Sequence, residues 1–357
     1  MENLTRFYKN KKILITGVTG FKGSWLCNWL LKLNAKVYGT GYSPNKNKKL
    51  FYSLNLQKKI NLKLFDIRDF DKLDNLIKKS KPEIIFHLAA QPLVYDSYQR
   101  PMYTFDVNFR GTLNVLEAAK KCKSVKSIVC VTTDKVYENT NKNKNFKETD
   151  RLGGKDPYSL SKASAELVIK SYREIYKTVK KNCYISSARA GNVIGGGDWS
   201  DNRLVPDCIK SIRTNQTIIV RNPNYIRPWQ HVLEPLKGYL LLAKNQIKNP
   251  KKYSSDWNFG PETNNKITVI KVVKLIIDFW GKGKFIIKQK IKFKEHKNLT
   301  LNINKAKKIL KWSASYSSKE GIHKTINWYY DVVNKKKSPS EATTDQIDQY
   351  MKKAKLR

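Results

Sequence analysis

The chain has 357 residues, 40% of them hydrophobic, with a formal net charge of +41, long enough for one large domain or two smaller ones with real cores. It contains no run of about 18 apolar residues, so no transmembrane helix is expected; five scattered cysteines (Cys27, Cys122, Cys130, Cys183, Cys208) without a Cys-x-x-Cys and four histidines without metal-ligand spacing point to neither a disulfide framework nor a metal centre. Of the 70 basic residues 58 are lysines and 12 arginines, spread over segments such as 45–49 and 141–145, which reads as a lysine-rich surface; neither a specific nucleic acid nor a membrane is an expected partner.

Strand-like and helix-like patterns alternate over the first 190 residues. Residues 12–16 form a short apolar run, and residues 21–33 place Trp25, Leu26, Trp29, Leu30 and Leu33 on one helical face. Residues 36–40 and 62–65 read as the second and third strands, and Asp69 is placed to cap a helix over 69–79. Residues 83–88 read as a buried strand, 103–121 as a long helix, 127–131 as a fifth strand, 157–180 as a second long helix and 183–188 as a sixth strand. Such alternation predicts an α/β fold with a doubly wound parallel Rossmann sheet. After Arg189 the pattern breaks into Gly, Pro, Trp and Arg, with helices expected over 234–245, 267–280, 304–310 and 319–333 and a possible return to the sheet at 257–259. The expected organisation is a dinucleotide-binding domain over 1–190 plus about 232–260, a smaller α+β substrate lobe over 191–231 and 261–335, and a polar tail, mobile or peripheral, over 336–357. The N-terminus enters its first strand too soon to hold a signal peptide's apolar core, so a cytoplasmic location is expected.

Gly17, Gly20 and Gly23 join the first strand to the first helix. Glycines there allow a tight turn, close approach of backbone to a pyrophosphate and close helix–sheet packing, while the helix N-terminus offers N–H groups to phosphate. Tyr158 and Lys162 are one helical turn apart, hence on one face. Upstream, Thr133, Asp134 and Lys135 set a hydroxyl, a carboxyl and an amine side by side at a strand end, three groups that can each move or hold a proton.

The glycine loop with Phe21 before its last pair, the acids at Asp66 and Asp69, the run Leu88-Ala89-Ala90-Gln91, and Asn108 resemble the extended short-chain dehydrogenase/reductase family. The resemblance implies NAD as cofactor, with Asp66 and Ile67 toward the adenine, Leu88, Ala89 and Ala90 under the nicotinamide ribose, and Asn108 as the family's helix asparagine. It also implies Tyr158 as acid/base at the sugar O4, Lys162 lowering the tyrosine's pKa and binding the ribose, and Thr133 hydrogen-bonding the same oxygen. One feature departs from an NAD site: strand two ends at 39–43 with no acid to hold the ribose hydroxyls, and Lys46, Lys48 and Lys49 follow, leaving NADP open.

Thr133-Asp134 specifically resembles the nucleotide-sugar 4,6-dehydratases, in which C4 is oxidised, water is lost across C5 and C6, and hydride returns to C6. There Asp134 would be the acid at O6. Lys135 stands where the dTDP-glucose enzymes carry Glu, and Thr-Asp-Lys resembles the CDP-glucose 4,6-dehydratases instead, implying Lys135 as C5 base or enolate stabiliser. The strings 189–199, 201–207 and 221–235 resemble the same group. They imply a nucleotide-sugar substrate, CDP-glucose, held by Gln91, Asn192, Arg203, Leu204 and Arg227. Tyr225, Trp229 and Trp199 could flank the base or pack in the core, and Arg189 and His231 could be structural. The resemblance covers about residues 8–335 and implies a homodimer or homotetramer built on the two long helices. A 4-epimerase, needing Tyr158 and Lys162 but neither Asp134 nor Lys135, stays open, as does a silent dinucleotide-binding protein with RNA affinity.

Overall fold

The computed structural model describes residues 3–42, 50–139, 144–262, 267–288 and 299–356. Lys46, Lys48 and Lys49 lie outside the described residues.

Seven strands form the main sheet: β1 (Lys12–Thr16), β2 (Lys36–Gly41), β3 (Asn61–Leu64), β4 (Ile84–His87), β5 (Ser127–Val131), β6 (Tyr184–Ala190) and β7 (Asp256–Phe259). Their order is β7-β6-β5-β4-β1-β2-β3, and every pairing is parallel. β4 and β5 are buried throughout, as parallel strands covered on both faces must be. The chain walks outward from β1 to β3 and then returns beside β1 as β4. Loops leaving β1 and β4 therefore diverge, and a crevice opens at the carboxyl ends of the strands.

The alternation within each strand sorts its side chains between two cores. Ile13 and Ile15 join Trp25, Trp29, Leu236 and Leu240 on one face; Leu14, Ile85 and Ile128 join Leu73, Val115 and Ile169 on the other. The first face is covered by α1 (Phe21–Lys32), the second by α2 (Phe70–Ser80), α3 (Gly111–Lys121) and α4 (Pro157–Thr178). The expected helix over 103–121 begins as a short helix, Pro101–Phe105, and passes through a π-helical stretch, Asp106–Arg110, before α3. That wider turn carries Asn108, and π-turns of this kind concentrate at functional sites.

Beyond β6 the smaller lobe is built from α5 (Leu204–Arg213), α7 (Val269–Trp280) and two-stranded pairs, among them Ile226–Arg227 against Ile267–Thr268. Between them α6 (Leu233–Lys248) returns to the first sheet face and leads to β7. α8 (Ser318–Val333) follows.

The tail, expected to be mobile or peripheral, forms α9 (Pro339–Lys353), opened by a capping box between Ser338 and Glu341 with Pro339 at its first turn. Ala342, Ile347, Tyr350 and Met351 are buried; Tyr350 meets Trp29 edge-on at 5.6 Å and donates its hydroxyl to Glu234 at 2.7 Å. A few apolar residues at helical spacing suffice to dock this helix, although its composition is polar. Among the described residues no helix is long and apolar enough to cross a membrane, and no cluster of three metal-ligating side chains occurs.

Candidate active site

The glycine loop is shaped by contacts that no side chain would permit. Gly17 has φ +71, and a Cβ on it would lie 2.6 Å from the Ala89 nitrogen and 2.8 Å from the Leu88 carbonyl carbon, so the loop rests directly on the chain leaving β4. At Gly23 a Cβ would meet the Gly17 carbonyl oxygen at 2.2 Å. Gly20 is the N-cap of α1 and gives it no side-chain cap, which leaves the positive helix end to an anion. This cradle fits a dinucleotide pyrophosphate. Phe21 lies against Gly195, and Ile67 packs on Gly111. Asp66 accepts from the Arg68 backbone N–H at 2.9 Å and its Nε at 3.0 Å, whereas Asp69 caps α2 through the Lys72 N–H at 3.1 Å. Asn108 clamps the loop after β4: its Oδ1 accepts from the Gln91 N–H at 2.8 Å, and its Nδ2 donates to the Gln91 carbonyl at 3.1 Å and Ser161 Oγ at 2.9 Å.

α4 starts where it does because Asp156 accepts from the Ser159 N–H at 2.9 Å and Pro157 occupies the first turn. Its inward face then presents Tyr158, Lys162 and Glu166, each one turn further on. Opposite, β5 ends and the chain makes one tight turn, Asp134–Val136. Thr132 donates to Glu166 Oε1 at 2.5 Å, Thr133 donates to Asp134 Oδ1 at 3.0 Å, and Lys162 Nζ donates to the Val131 carbonyl at 3.4 Å. Thr133 also hydrogen-bonds the Tyr158 hydroxyl, on which the charges of Asp134 and Arg203 act. Thr133, Asp134, Tyr158 and Lys162 are thus gathered at one place; Lys135 is half-buried on the same turn.

Burial pushes the Tyr158 phenol up to about 12, with the Thr133 hydrogen bond working against it and Asp134 adding to it. Lys162 was expected to lower that value; in the ligand-free chain desolvation outweighs every favourable contact, and the phenol is protonated at neutral pH. Desolvation likewise draws Lys162 down to about 8, opposed by Cys130 and Glu166. Asp134 is 1% exposed, and its Oδ2 has no hydrogen-bond partner. The carboxyl fits only because residue 191 is glycine: a Cβ there would lie 1.7 Å from Oδ2.

On the substrate side Arg203 stands at the start of α5 beside Leu204, gives the helix no side-chain cap, and pairs with Asp198 at 3.1 Å. Asn192 holds a left-handed φ of +46, and its carbonyl accepts from the Gln230 N–H at 3.3 Å. Arg227 lies over the Tyr225 ring at 5.0 Å and lines an open cleft of about 400 Å³ with Gly191, Pro228, Gln230 and Glu262. Gln91, expected with them, is engaged by its own loop. Its Oε1 accepts from the Leu93 N–H at 2.5 Å, and its Nε2 donates to the Leu93 carbonyl and Thr104, so its amide is spent on bracing its own loop. Trp229 is likewise core, donating Nε1 to the Ile267 carbonyl at 3.1 Å.

Arg189 and His231 are structural. Arg189 makes a bidentate pair with Glu166 at 2.9 and 2.7 Å, both side chains fully enclosed, and donates to the Tyr137 hydroxyl at 2.8 Å. His231 is buried, held neutral by desolvation, and edge-on to Trp25 and Tyr316. Sequence reasoning missed Lys22. Desolvation, then Arg203 and Lys162, bring its ammonium down to about 8, while Asp134 and Asp198 act in the opposite direction; it belongs to the same charge cluster. A lysine inside the glycine loop, at the positive end of a helix where cations are disfavoured, was the available signal.

The sequence model of the GDP-mannose 4,6 dehydratase family matches residues 14–325. The chain belongs to that family. It is 40% identical over 328 residues to the CDP-glucose 4,6-dehydratase of Salmonella typhimurium, covering 90% of this chain and 91% of the relative. Among solved structures it resembles a dTDP-glucose 4,6-dehydratase from Bacillus anthracis in complex with NAD, with TM-score 0.74 and 25% identity over 90% of this chain and 97% of the other. A UDP-glucose 4-epimerase from Thermotoga maritima with UDP-glucose superposes with TM-score 0.76 at 22% identity over 90% and 99% of the two chains, a likeness of fold.

Proposed function

We propose that this protein is a hydro-lyase that converts CDP-glucose to CDP-4-dehydro-6-deoxyglucose and water. The observation that carries the reading is the enclosed, half-satisfied carboxyl of Asp134, set beside Thr133 and Tyr158. A 4-epimerase has no use for an added acid at that place. The similarity to the Salmonella CDP-glucose enzyme supports cytidine as the base.

Bound NAD would supply a two-electron acceptor that takes hydride from C4 and gives it back at C6; the loop at Gly17, Gly20, Phe21 and Gly23, the segment Asp66–Ile67, the chain at Leu88–Ala90, and Asn108 would hold it, with Tyr158 and Lys162 at its ribose. Tyr158 first gives its own proton to solvent, a loss that the adjacent ammonium of Lys162 favours, and the phenolate, bonded to Thr133, then accepts the O4 proton as the ketone forms. The ketone makes the C5 proton acidic, and Lys135 removes it or stabilises the enolate. Asp134, enclosed beside Thr133 and against Gly191, gives its proton to O6, and water leaves. The C5 proton is restored as C6 becomes a methyl, and the proton gained by Tyr158 and lost by Asp134 is balanced through solvent. Arg203 and Arg227 suit the diphosphate, for which guanidinium forks are matched donors; Asn192 and the start of α5 at Leu204 complete the substrate side.

The sheet with α1–α4 and α6 would form the cofactor domain and the remainder the substrate lobe, at work in the cytoplasm. A second copy of the chain would pair along α4 and the helix before α3, where Leu160 (44%), Leu167 (58%) and Met102 (84%) stand exposed. The test is a panel of CDP-, dTDP-, UDP- and GDP-glucose with NAD, read by the absorbance of the base-treated 4-ketone. Ketone formed from CDP-glucose supports the reading; isomerised sugar without ketone would replace it with an epimerase.

A further inference from the structure

Gln230 sits on the short strand Gln230–His231 and is 3% exposed. Its Nε2 donates two hydrogen bonds, to the Gly191 carbonyl and to the Phe259 carbonyl, each at 3.0 Å. Ala190 and Phe259 are the last register partners of β6 and β7. One residue later β6 leaves the sheet, and the Gln230 side chain bridges the two strand ends that the ladder no longer joins. Its own N–H holds Asn192 by the carbonyl at 3.3 Å, so Gly191 is tied at its own carbonyl and again at the next residue. With both amide protons committed to carbonyls, the amide cannot turn over without leaving two buried acceptors unpaired.

Gly191 is also the surface on which Asp134 rests. A Cβ on it would lie 1.7 Å from Oδ2, 2.1 Å from Cγ and 2.7 Å from Oδ1, so the carboxyl fills the space that any side chain would take. The carboxyl is enclosed, its Oδ1 held by the Thr133 hydroxyl at 3.0 Å and its Oδ2 without a hydrogen-bond partner, so the Gly191 main chain is the wall that bounds how far it can swing.

We infer that Gln230 is a positioning residue for the dehydration step, fixing Asp134 through the Gly191 main chain rather than by touching sugar or cofactor. The inference rests on the reading of Asp134 as the acid at O6. Gln230 lines the cleft that also holds Arg227, so the same amide sets the edge of the substrate site and the place of the acid.

The experiment compares Gln230→Leu, Asp134→Asn and the double variant with the wild-type holoenzyme in a single turnover, following NADH absorbance, alongside KM, NAD affinity and thermal melting. Gln230→Leu should lower kcat by roughly ten- to a hundredfold, the scale of an ångström's misplacement, with KM and NAD affinity nearly unchanged and NADH building up before product. The double variant should be no slower than Asp134→Asn, since both act through one carboxyl. Near wild-type kcat in Gln230→Leu, or losses that multiply in the double variant, would overturn the inference. If Gln230→Leu does not fold, Gln230→Met keeps the volume without the donors and is held to the same outcomes. If Asp134→Asn itself builds up no NADH, the acid reading fails; if it does and the Gln230 variant does not, only the positioning role fails.

Discussion

A single methyl group placed on Gly191 should disable the chemistry while leaving the fold standing. The Cβ of Gly191→Ala would stand 1.7 Å from Asp134 Oδ2, whereas ordinary contact begins at 3.4 Å, so the carboxyl or the main chain must yield by about 1.7 Å. The carboxyl has nowhere adjacent to go, being enclosed and tied to Thr133 at 3.0 Å. Displacing a reacting group by an ångström costs about a hundredfold in rate, so a loss of at least that size is expected in the loss of water. Oxidation at C4, which depends on Tyr158 and Lys162, should suffer less. Overpacking of this kind also costs about 1–3 kcal/mol of stability, a tolerable loss for most domains of this size. Rapid mixing of enzyme, NAD and CDP-glucose should then show NADH forming at near-normal rate and persisting, with little ketone released. Turnover within about threefold of wild type would mean that Asp134 is free to move, and the tight enclosure argued for it would be wrong.

Lys162→Met should abolish turnover yet stabilise the cofactor-free protein. Burial draws Lys162 from 10.5 to about 8, so between those values the unfolded chain binds a proton that the folded chain does not; the penalty is full below pH about 8, on the order of 3 kcal/mol, and fades as pH rises toward 10.5. Urea melts at pH 7 and pH 10 should show a gain at the first and little at the second, and a gain that grew with pH would contradict the assignment. Leu160→Lys with Leu167→Lys should convert a dimer to monomer in sedimentation without unfolding it; an unchanged mass would move the interface elsewhere. Truncation before Ser338 should lower the melting temperature by several degrees, since it strips Tyr350 from Trp29 and Glu234 and bares their apolar surroundings; an unaltered melt would restore the view of a dispensable tail.

The strands of the sheet and most element boundaries were legible because parallel strands announce themselves as short apolar runs between helical periods; the order in which the strands lie was not. Tyr158 with Lys162 was legible from helical spacing and Thr133 with Asp134 from the end of a strand-like run; that the two pairs meet was implied only by the family resemblance. Three further features were not legible. The docking of α9 depends on Tyr350 finding Trp29, a contact separated by most of the chain. The bracing of its own loop by Gln91 depends on Thr104 and Leu93 meeting its amide, which no spacing rule foretells. The importance of Gly191 lay hidden in a glycine-rich string, since which neighbour forbids a side chain is known only once Asp134 is seen against it.

α4 explains why acid–base groups and structural charges lie so close together without exchanging roles. Tyr158, Lys162 and Glu166 descend one face in successive turns, from the crevice toward the sheet interior. Glu166 is neutralised by Arg189 in a bidentate pair and accepts a further bond from Thr132. Charges satisfied in this way hold geometry, because removing either partner strands the other in a medium that cannot solvate it. Lys162 and Asp134 are the reverse: one has a single long bond to a carbonyl at 3.4 Å, the other an oxygen with no donor at all. Incomplete satisfaction is costly to the fold, and under the proposed mechanism these two are the groups left to meet the sugar and the cofactor. The boundary between framework and chemistry therefore falls between Lys162 and Glu166, a single helical turn.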